Sequence, residues 1–398
     1  MGQTTAEQMR RWRGPALFTF GFRPFFLFGA LWAGLAMPLW IAMLSGALTL
    51  PSRFDPVSWH AHAFLFGYLG AVVAGFLLTA VPNWTGRLPV VGWHLAGLVA
   101  LWGLGRVAVL TSALLPVWAS VAADLAFPLV LGAVLLREIV AGRNWRNLIV
   151  LGLLAVYALA NLLFHIEEAA GDLAAQGVGL RLGLASALMM IAVIGGRIVP
   201  SFTRNWLVRA GRAERPAAPM QRFDKLSLLA GGIGLALWVL WPQARLTGLG
   251  LLLVGALHLI RLGRWKGVRT ATEPLVWVLH LAYAFVPLGA LATGLAVIWP
   301  DLIAPAGVQH LWMAGALGLM TLAVMTRATL GHTGQALRAG PVTVAIYAGL
   351  ILSVLTRFAA GIWPEMILYQ LSGGLWTAAF LGFAVGYGPL LSRARQRG

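Results

Sequence analysis

The 398-residue chain contains no cysteine. This excludes disulfides, thiolate metal ligands, iron–sulfur clusters and thiolate-ligated haem, and leaves His, Met, carboxylate, Tyr or backbone to hold any metal. Charge is almost as scarce. Only 10% of residues are Asp, Glu, Lys or Arg, against about a quarter in soluble domains. With 60% hydrophobic residues and a mean hydropathy of +0.82, the composition is that of an integral membrane protein rather than a large globular enzyme. Acidic residues are the rarest charged class: 12 stand against 29 Lys and Arg, a net charge of +17. In a soluble protein that balance would suggest a nucleic-acid partner; here the charges must first be sorted by membrane side, and no nucleic-acid role is read from them. The opening MGQTTAEQMRRWRGPALF has basic residues but no short apolar core with a small-residue cleavage site, so no cleaved signal peptide is expected.

What the chain has in abundance is long apolar runs. They recur about twelve times, near 25–46, 61–82, 90–111, 117–137, 147–166, 180–200, 226–242, 246–262, 274–298, 308–327, 341–360 and 365–390. Gly, Pro or charged residues close each one. The expected fold is all-α, a single polytopic membrane domain over 1–398 in which the longest polar stretch, 201–225, is a basic loop. Sorting Lys and Arg by alternate loops tests that count. One side collects Arg10, Arg11, Arg13, Arg23, Arg87, the group from Arg137 to Arg146, those from Arg197 to Lys225 and from Arg261 to Arg269, then Arg327, Arg338, Arg393, Arg395 and Arg397. The other has only Arg53, Arg106, Arg181, Arg245 and Arg357. Such asymmetry follows the positive-inside rule with both termini in the cytoplasm, and one missed helix would scramble it. The second, sixth and tenth runs end in related polar turns, LTAVPNWTGR, GGRIVPSFTRNW and LAVMTRATLGHTG. A step of four would divide the chain into three four-helix units.

Histidines stand out against this background, since imidazole is the commonest metal ligand and ionisable groups near membrane spans are functional by default. His60 and His62 are expected at the lip of the second span, with Asn83, Trp84 and Arg87 at its far end. By depth, His60, His62, His165 and His310 form an outer set, and His94, His258, His280 and His332 an inner one. Only side chains at similar depth share a metal. In the outer set, one of His60 and His62 faces His310 as an axial pair across a haem. Two residues apart, about 200° on a helix, His60 and His62 cannot both address one ligand, so they would serve different centres such as haem and copper. His165, with Glu167 and Glu168 nearby, would complete a copper site, because imidazole and carboxylate suit Cu(II). Arg53, Arg106, Arg181 and Arg357 are candidates for the propionates of an outer haem. On the inner side His94 and His258 have no polar company and read as structural. His280, about 9 Å into its span, needs a partner. Around His332 lie Asn83, Arg197, Arg204, Asn205 and Arg327, which could hold an anion or a propionate.

These strings carry a family resemblance: GFRPFFL (21–27), WHAH followed by AGFLLTAVPNWTGR (59–87), GGRIVPSFTRN (195–205), HLAYAFVPLG (280–289) and LGLMTLAVMTRATLGHTG (317–334). The sequence resembles the NnrS family, bacterial membrane proteins described as haem- and copper-containing and associated with denitrification and nitric oxide tolerance. In that family WHAH is often followed by Glu; here the place is Ala63. The resemblance implies a b-type haem, copper, nitric oxide as ligand, a quinol or other electron donor, and the bacterial inner membrane. The arrangement is also similar to the haem–copper oxidase subunit, with twelve helices and histidines on the second and tenth. The sixth and seventh spans, however, lack the histidines from which the oxidase builds its copper site, which disfavours a proton-pumping oxygen reductase. Two further readings stand beside a nitric oxide protein. One is a secondary transporter of an anion or metal complex, against which even, unbroken spans would count; the other is a non-catalytic sensor or assembly partner.

Overall fold

The computed structural model describes residues 12–301 and 304–393; it is 80% helical, with no strand among those residues. Arg10, Arg11, Arg395 and Arg397 of the charge comparison, and most of the stretch read for a signal peptide, lie outside the described residues. Among the described residues, twelve helices are long and apolar enough to cross a bilayer. They are α1 Phe22–Leu44, α2 Pro56–Thr85, α3 Trp93–Leu110, α4 Val117–Ala141, α5 Trp145–Ala169 and α6 Val178–Arg209, followed by α7 Arg222–Leu240, α8 Arg245–Gly263, α9 Pro274–Ile298, α10 Pro305–Thr333, α11 Pro341–Ala359 and α12 Met366–Ser392. The expected all-α membrane fold is therefore the observed one.

Three helices overrun their apolar cores: α2, α6 and α10 have 30, 32 and 29 residues. In α2 the start is set by Asp55, whose carboxylate accepts from the backbone N–H of Val57 (2.8 Å) and Ser58 (3.1 Å), with Pro56 in the first turn. The helix then runs through Pro82 to a left-handed Gly86 (φ 69°). His62 thus lies inside the helix, not at its lip. In α6, Val199, Thr203 and Leu207 fall on one face and are buried, so the segment stays helical to Arg209 although its other face is polar. The 201–225 loop shrinks accordingly to the residues between Arg209 and Arg222.

The same three helices contain π-helical turns, at Ala63–Tyr68, Ile191–Gly195 and Leu311–Leu319. The spans are continuous but not regular, contrary to the expectation of even helices. A π turn displaces carbonyls from the normal ladder, and these need other donors. In α2 they find three: Trp32 Nε1 donates to Ala63 O (2.8 Å), Tyr157 Oη to Leu65 O, and Trp102 Nε1 to Gly67 O (2.9 Å). Removing one such donor with Tyr157→Phe should lower stability by about 1 kcal/mol, read as a shift in the thermal unfolding of detergent-solubilised protein.

Grouping by proximity yields two compact units, and does not by itself divide the chain into three. The first comprises residues up to Gly183 with Ala328–Ala336 and the chain from Phe380; the second is Leu184–Arg327 with Leu337–Ala379. Inside the first, α1 and α2 approach through small residues. A Cβ on Gly29 would stand 3.2 Å from that of Ala71, the kind of close approach that drives helix association in lipid, where burial of apolar surface drives little. Inside the second, α8 and α9 meet backbone to backbone at Gly248 and Gly294.

The second unit has a buried polar chain of its own. Arg261 Nε donates to Asp224 Oδ1 (2.8 Å), and Nη1 donates to Ala192 O (2.9 Å) in the α6 π turn and to Tyr283 Oη (2.8 Å). Tyr283 Oη stands 2.8 Å from His258 Nδ1, whose Nε2 is 3.1 Å from Ser227 O. His258, expected to lack polar company, is therefore hydrogen-bonded at both ring nitrogens.

Candidate functional site

The buried polar residues of the first unit converge on one carboxylate. Asp124 lies two turns into α4, about 10 Å from its start. Gly105 of α3 is what lets it sit there: a Cβ on that residue would lie 2.8 Å from Asp124 Oδ1 and 3.1 Å from its Cα. The next residue, Arg106, is buried and its guanidinium binds Oδ1. On α5, Tyr157, Asn161 and His165 follow at i, i+4 and i+8, hence on one face. Asn161 Nδ2 donates to Asp124 Oδ2 at 2.8 Å, and His165 Nε2 stands 3.1 Å from the same oxygen. From α2, His62 Nε2 stands 3.0 Å from Oδ2 and 3.0 Å from Asn161 Oδ1.

Three helices thus bring His62, Asp124 and His165 together, with ligand atoms all within 4.8 Å of one another. Phe54, Phe66 and Phe164 wall the His62 ring at centroid distances of 5.5, 5.3 and 5.6 Å, and His62 is wholly buried. Burial of a carboxylate at this depth is tolerable only because Arg106 neutralises one oxygen and three nitrogens gather at the other. A cavity of about 10 Å³ adjoins the cluster, bounded among others by Arg106, Asp124, Asn161, Tyr157 and Gly70. It has room for about one water-sized molecule.

The donor set suits a metal ion. Two imidazoles and a carboxylate are ligands for Cu(II), Fe(II) or Zn(II), and bonds of about 2.0–2.2 Å hold neighbouring ligands about 3 Å apart, as each imidazole nitrogen is from the carboxylate oxygen. The set does not suit haem, since both rings turn towards one carboxylate oxygen in a closed core, which leaves no opening for a flat macrocycle between them.

The other expected site residues are placed as follows. His60 does not join His62; its ring stacks on Trp40 at 3.9 Å and lies 4.8 Å from Phe64, as their helical offset requires. The carboxylate beside His165 is not Glu167, which instead caps the start of α6 by accepting from Val178 N (2.6 Å) and Gly179 N (3.2 Å). Arg106, a propionate candidate, is taken up by Asp124. Arg53, just before α2, binds Leu115 O in the loop between α3 and α4, and Arg181, in the first turn of α6, binds Gln176 O (2.5 Å) in the loop that precedes it. Arg357 lies over the Tyr369 ring at 4.9 Å. His310 Nδ1 donates to Ala306 O at 2.6 Å. His280 finds its partner in Thr203 Oγ1, at 2.7 Å. Of the inner constellation, His332 lies 5.2 Å from the Phe22 ring, and the exposed Asn83 amide bonds Thr79 O. Arg327 stacks on Phe202 at 4.2 Å, while Arg197, Arg204 and Asn205 follow along α6.

Three participants escaped the sequence reading: Asp124, Asn161 and Tyr157. Each carried a signal. An acid in the middle of an apolar run has to be neutralised, and Tyr157 and Asn161 precede His165 at helical spacing.

The family model described as NnrS protein matches residues 16–395. This chain belongs to the NnrS family. The match spans nearly all of it, so the NnrS assignment applies to both units, and it makes the protein a membrane protein of the nitric oxide response in the general sense. No curated protein matches the chain. The strings that carried the resemblance fall on the polar centres just described: WHAH contains His62, GGRIVPSFTRN contains Thr203, and HLAYAFVPLG contains both His280 and Tyr283. At Ala63 the side chain is only a methyl group, and the carboxylate that faces His62 comes from α4, Asp124.

Proposed function

We propose that this NnrS-family protein is a metalloprotein of nitric oxide tolerance linked to denitrification, with copper held by His62, Asp124 and His165. The observation that carries the reading is the convergence of two imidazole nitrogens on one buried carboxylate oxygen beside a cavity the size of a single small molecule. Copper would supply one-electron chemistry and an open coordination position for a diatomic ligand. Arg106 holds the carboxylate oriented through its other oxygen, Asn161 fixes the amide contact between Asp124 and His62, and the phenylalanines exclude bulk water. Haem, implied by the resemblance, fits His310 better than His62, because the Ala306 carbonyl fixes the His310 ring and its tautomer, with the proton on Nδ1. A quinol or similar donor would provide electrons. Twelve crossings with the basic loops on one side support the bacterial inner membrane with cytoplasmic termini.

The test is metal analysis with nitric oxide consumption on one purified preparation of wild type and of His62→Ala/His165→Ala. The expected result is about one copper per chain in wild type, lost in the variant together with nitric oxide removal. Equal copper in both would overturn the ligand assignment. The π turns in α2, α6 and α10 are the one feature that also suits a transporter of an anion or metal complex. Metal-independent uptake into proteoliposomes would favour that reading.

A further inference from the structure

The second unit carries a cavity of about 650 Å³ between the end of α8, the turn at Gly267–Thr270 and the start of α9. Neither the metal centre nor the Asp224–Arg261 chain uses it. Its walls are apolar, with Leu262, Trp277 and Leu281, and its mouth has two cations, Lys266 and Arg269. Between them Val268 is 90% exposed, a costly position in water and an ordinary one against acyl chains. Arg269 meets Glu214 through Nε at 3.4 Å. Lys266 has no ion pair among the described residues, and its backbone is left-handed (φ 59°), a strained conformation for a lysine.

His280 lines the same cavity. Thr203 Oγ1 donates to Val199 O at 2.8 Å, so it accepts from His280 Nε2–H, which leaves Nδ1 as a bare acceptor. That nitrogen is buried and has no partner. Gly267 stands over it: a Cβ there would lie 2.5 Å from Nδ1. Gly267 and His280 both line the groove, and any side chain at 267 would press on that acceptor. The site therefore asks for an anion at the mouth, a hydrogen-bond donor near the floor and long apolar chains along the wall.

We propose that this groove binds an anionic phospholipid with a hydroxylated headgroup, of the phosphatidylglycerol type. The phosphate lies between Lys266 and Arg269, a headgroup hydroxyl donates to His280 Nδ1, and the acyl chains follow Leu262, Trp277 and Leu281. The chemistry is that of basic pockets between membrane helices that capture lipid headgroups.

Native mass spectrometry of the full chain in detergent, with added phosphatidylglycerol, phosphatidylethanol or phosphatidylcholine, separates the contributions. Phosphatidylethanol keeps the charge and lacks the hydroxyls. Wild type should retain phosphatidylglycerol about fivefold better than phosphatidylethanol, and both better than phosphatidylcholine. Lys266→Gln/Arg269→Gln should weaken both anionic lipids about thirtyfold. Gly267→Ala should erase only the preference for the hydroxylated lipid, and it leaves the charges in place should the double variant fold poorly. Equal retention of all three lipids would overturn the proposal. So would full displacement by inorganic phosphate, or a porphyrin absorbance that disappears in His280→Ala.

Discussion

Asp124→Ala should strip the metal from the purified protein and destabilise it together. Side chains of α2, α3 and α5 meet this carboxylate of α4, and its loss leaves the Arg106 guanidinium buried without a counter-charge. Breaking one side of a buried pair costs about 3–5 kcal/mol, and the two imidazoles lose the oxygen on which they converge. Elemental analysis should find copper at background, and thermal unfolding in detergent should move sharply down. The double variant Asp124→Asn/Arg106→Gln separates the effects. It keeps the shape, removes both charges and should recover most of the stability while remaining metal-free. Copper retained by Asp124→Ala at the wild-type level would show that the carboxylate is not a ligand.

Arg261→Leu should destabilise to a similar degree, about 3–5 kcal/mol, with copper content unchanged. The reasoning is parallel: Arg261 is wholly buried, neutralises Asp224 and supplies a donor to the Ala192 carbonyl that the α6 π turn releases. The difference lies in the donor set. Around Asp224 the second oxygen accepts from the Gln221 backbone N–H, and His258 is held by Tyr283 and Ser227, so among the described residues no imidazole is hydrogen-bonded to the carboxylate. Denaturant unfolding and metal analysis on one preparation read both quantities. Loss of copper in a folded Arg261→Leu protein would mean that the metal lies in the second unit.

The sequence displayed the architecture plainly because bilayer thickness imposes its length on each apolar run, and because the alternation of Arg and Lys between loops gives an independent check on the count. It also placed His62 and His165 at similar depth, and set His60 apart from His62 on helical geometry. What it hid was the buried carboxylate between them. Asp124 sits in an apolar run whose hydropathy absorbs a single acid, and attention to the outer loops led to Glu167 and Glu168, of which Glu167 caps the start of α6. The π turns were invisible for a different reason. They leave no compositional mark, and only the side-chain donors gathered from other helices, Trp32, Trp102 and Tyr157, reveal that carbonyls have been released. The lengths of α2, α6 and α10 were underread because hydropathy ends where the amphipathic face begins, whereas the helix continues as long as one face stays buried, as at Thr203 and Leu207.

The central claim is that two imidazoles and one carboxylate of the first unit hold a metal ion. X-ray absorption at the copper edge of the purified, copper-loaded protein tests it most directly, with His62→Ala and His165→Ala alongside. The account predicts a first shell of nitrogen and oxygen at about 2.0 Å, with an imidazole scattering contribution that drops by about half in each single variant. Copper scattering identical in wild type and both variants, or a wild type that takes up no copper, would contradict it.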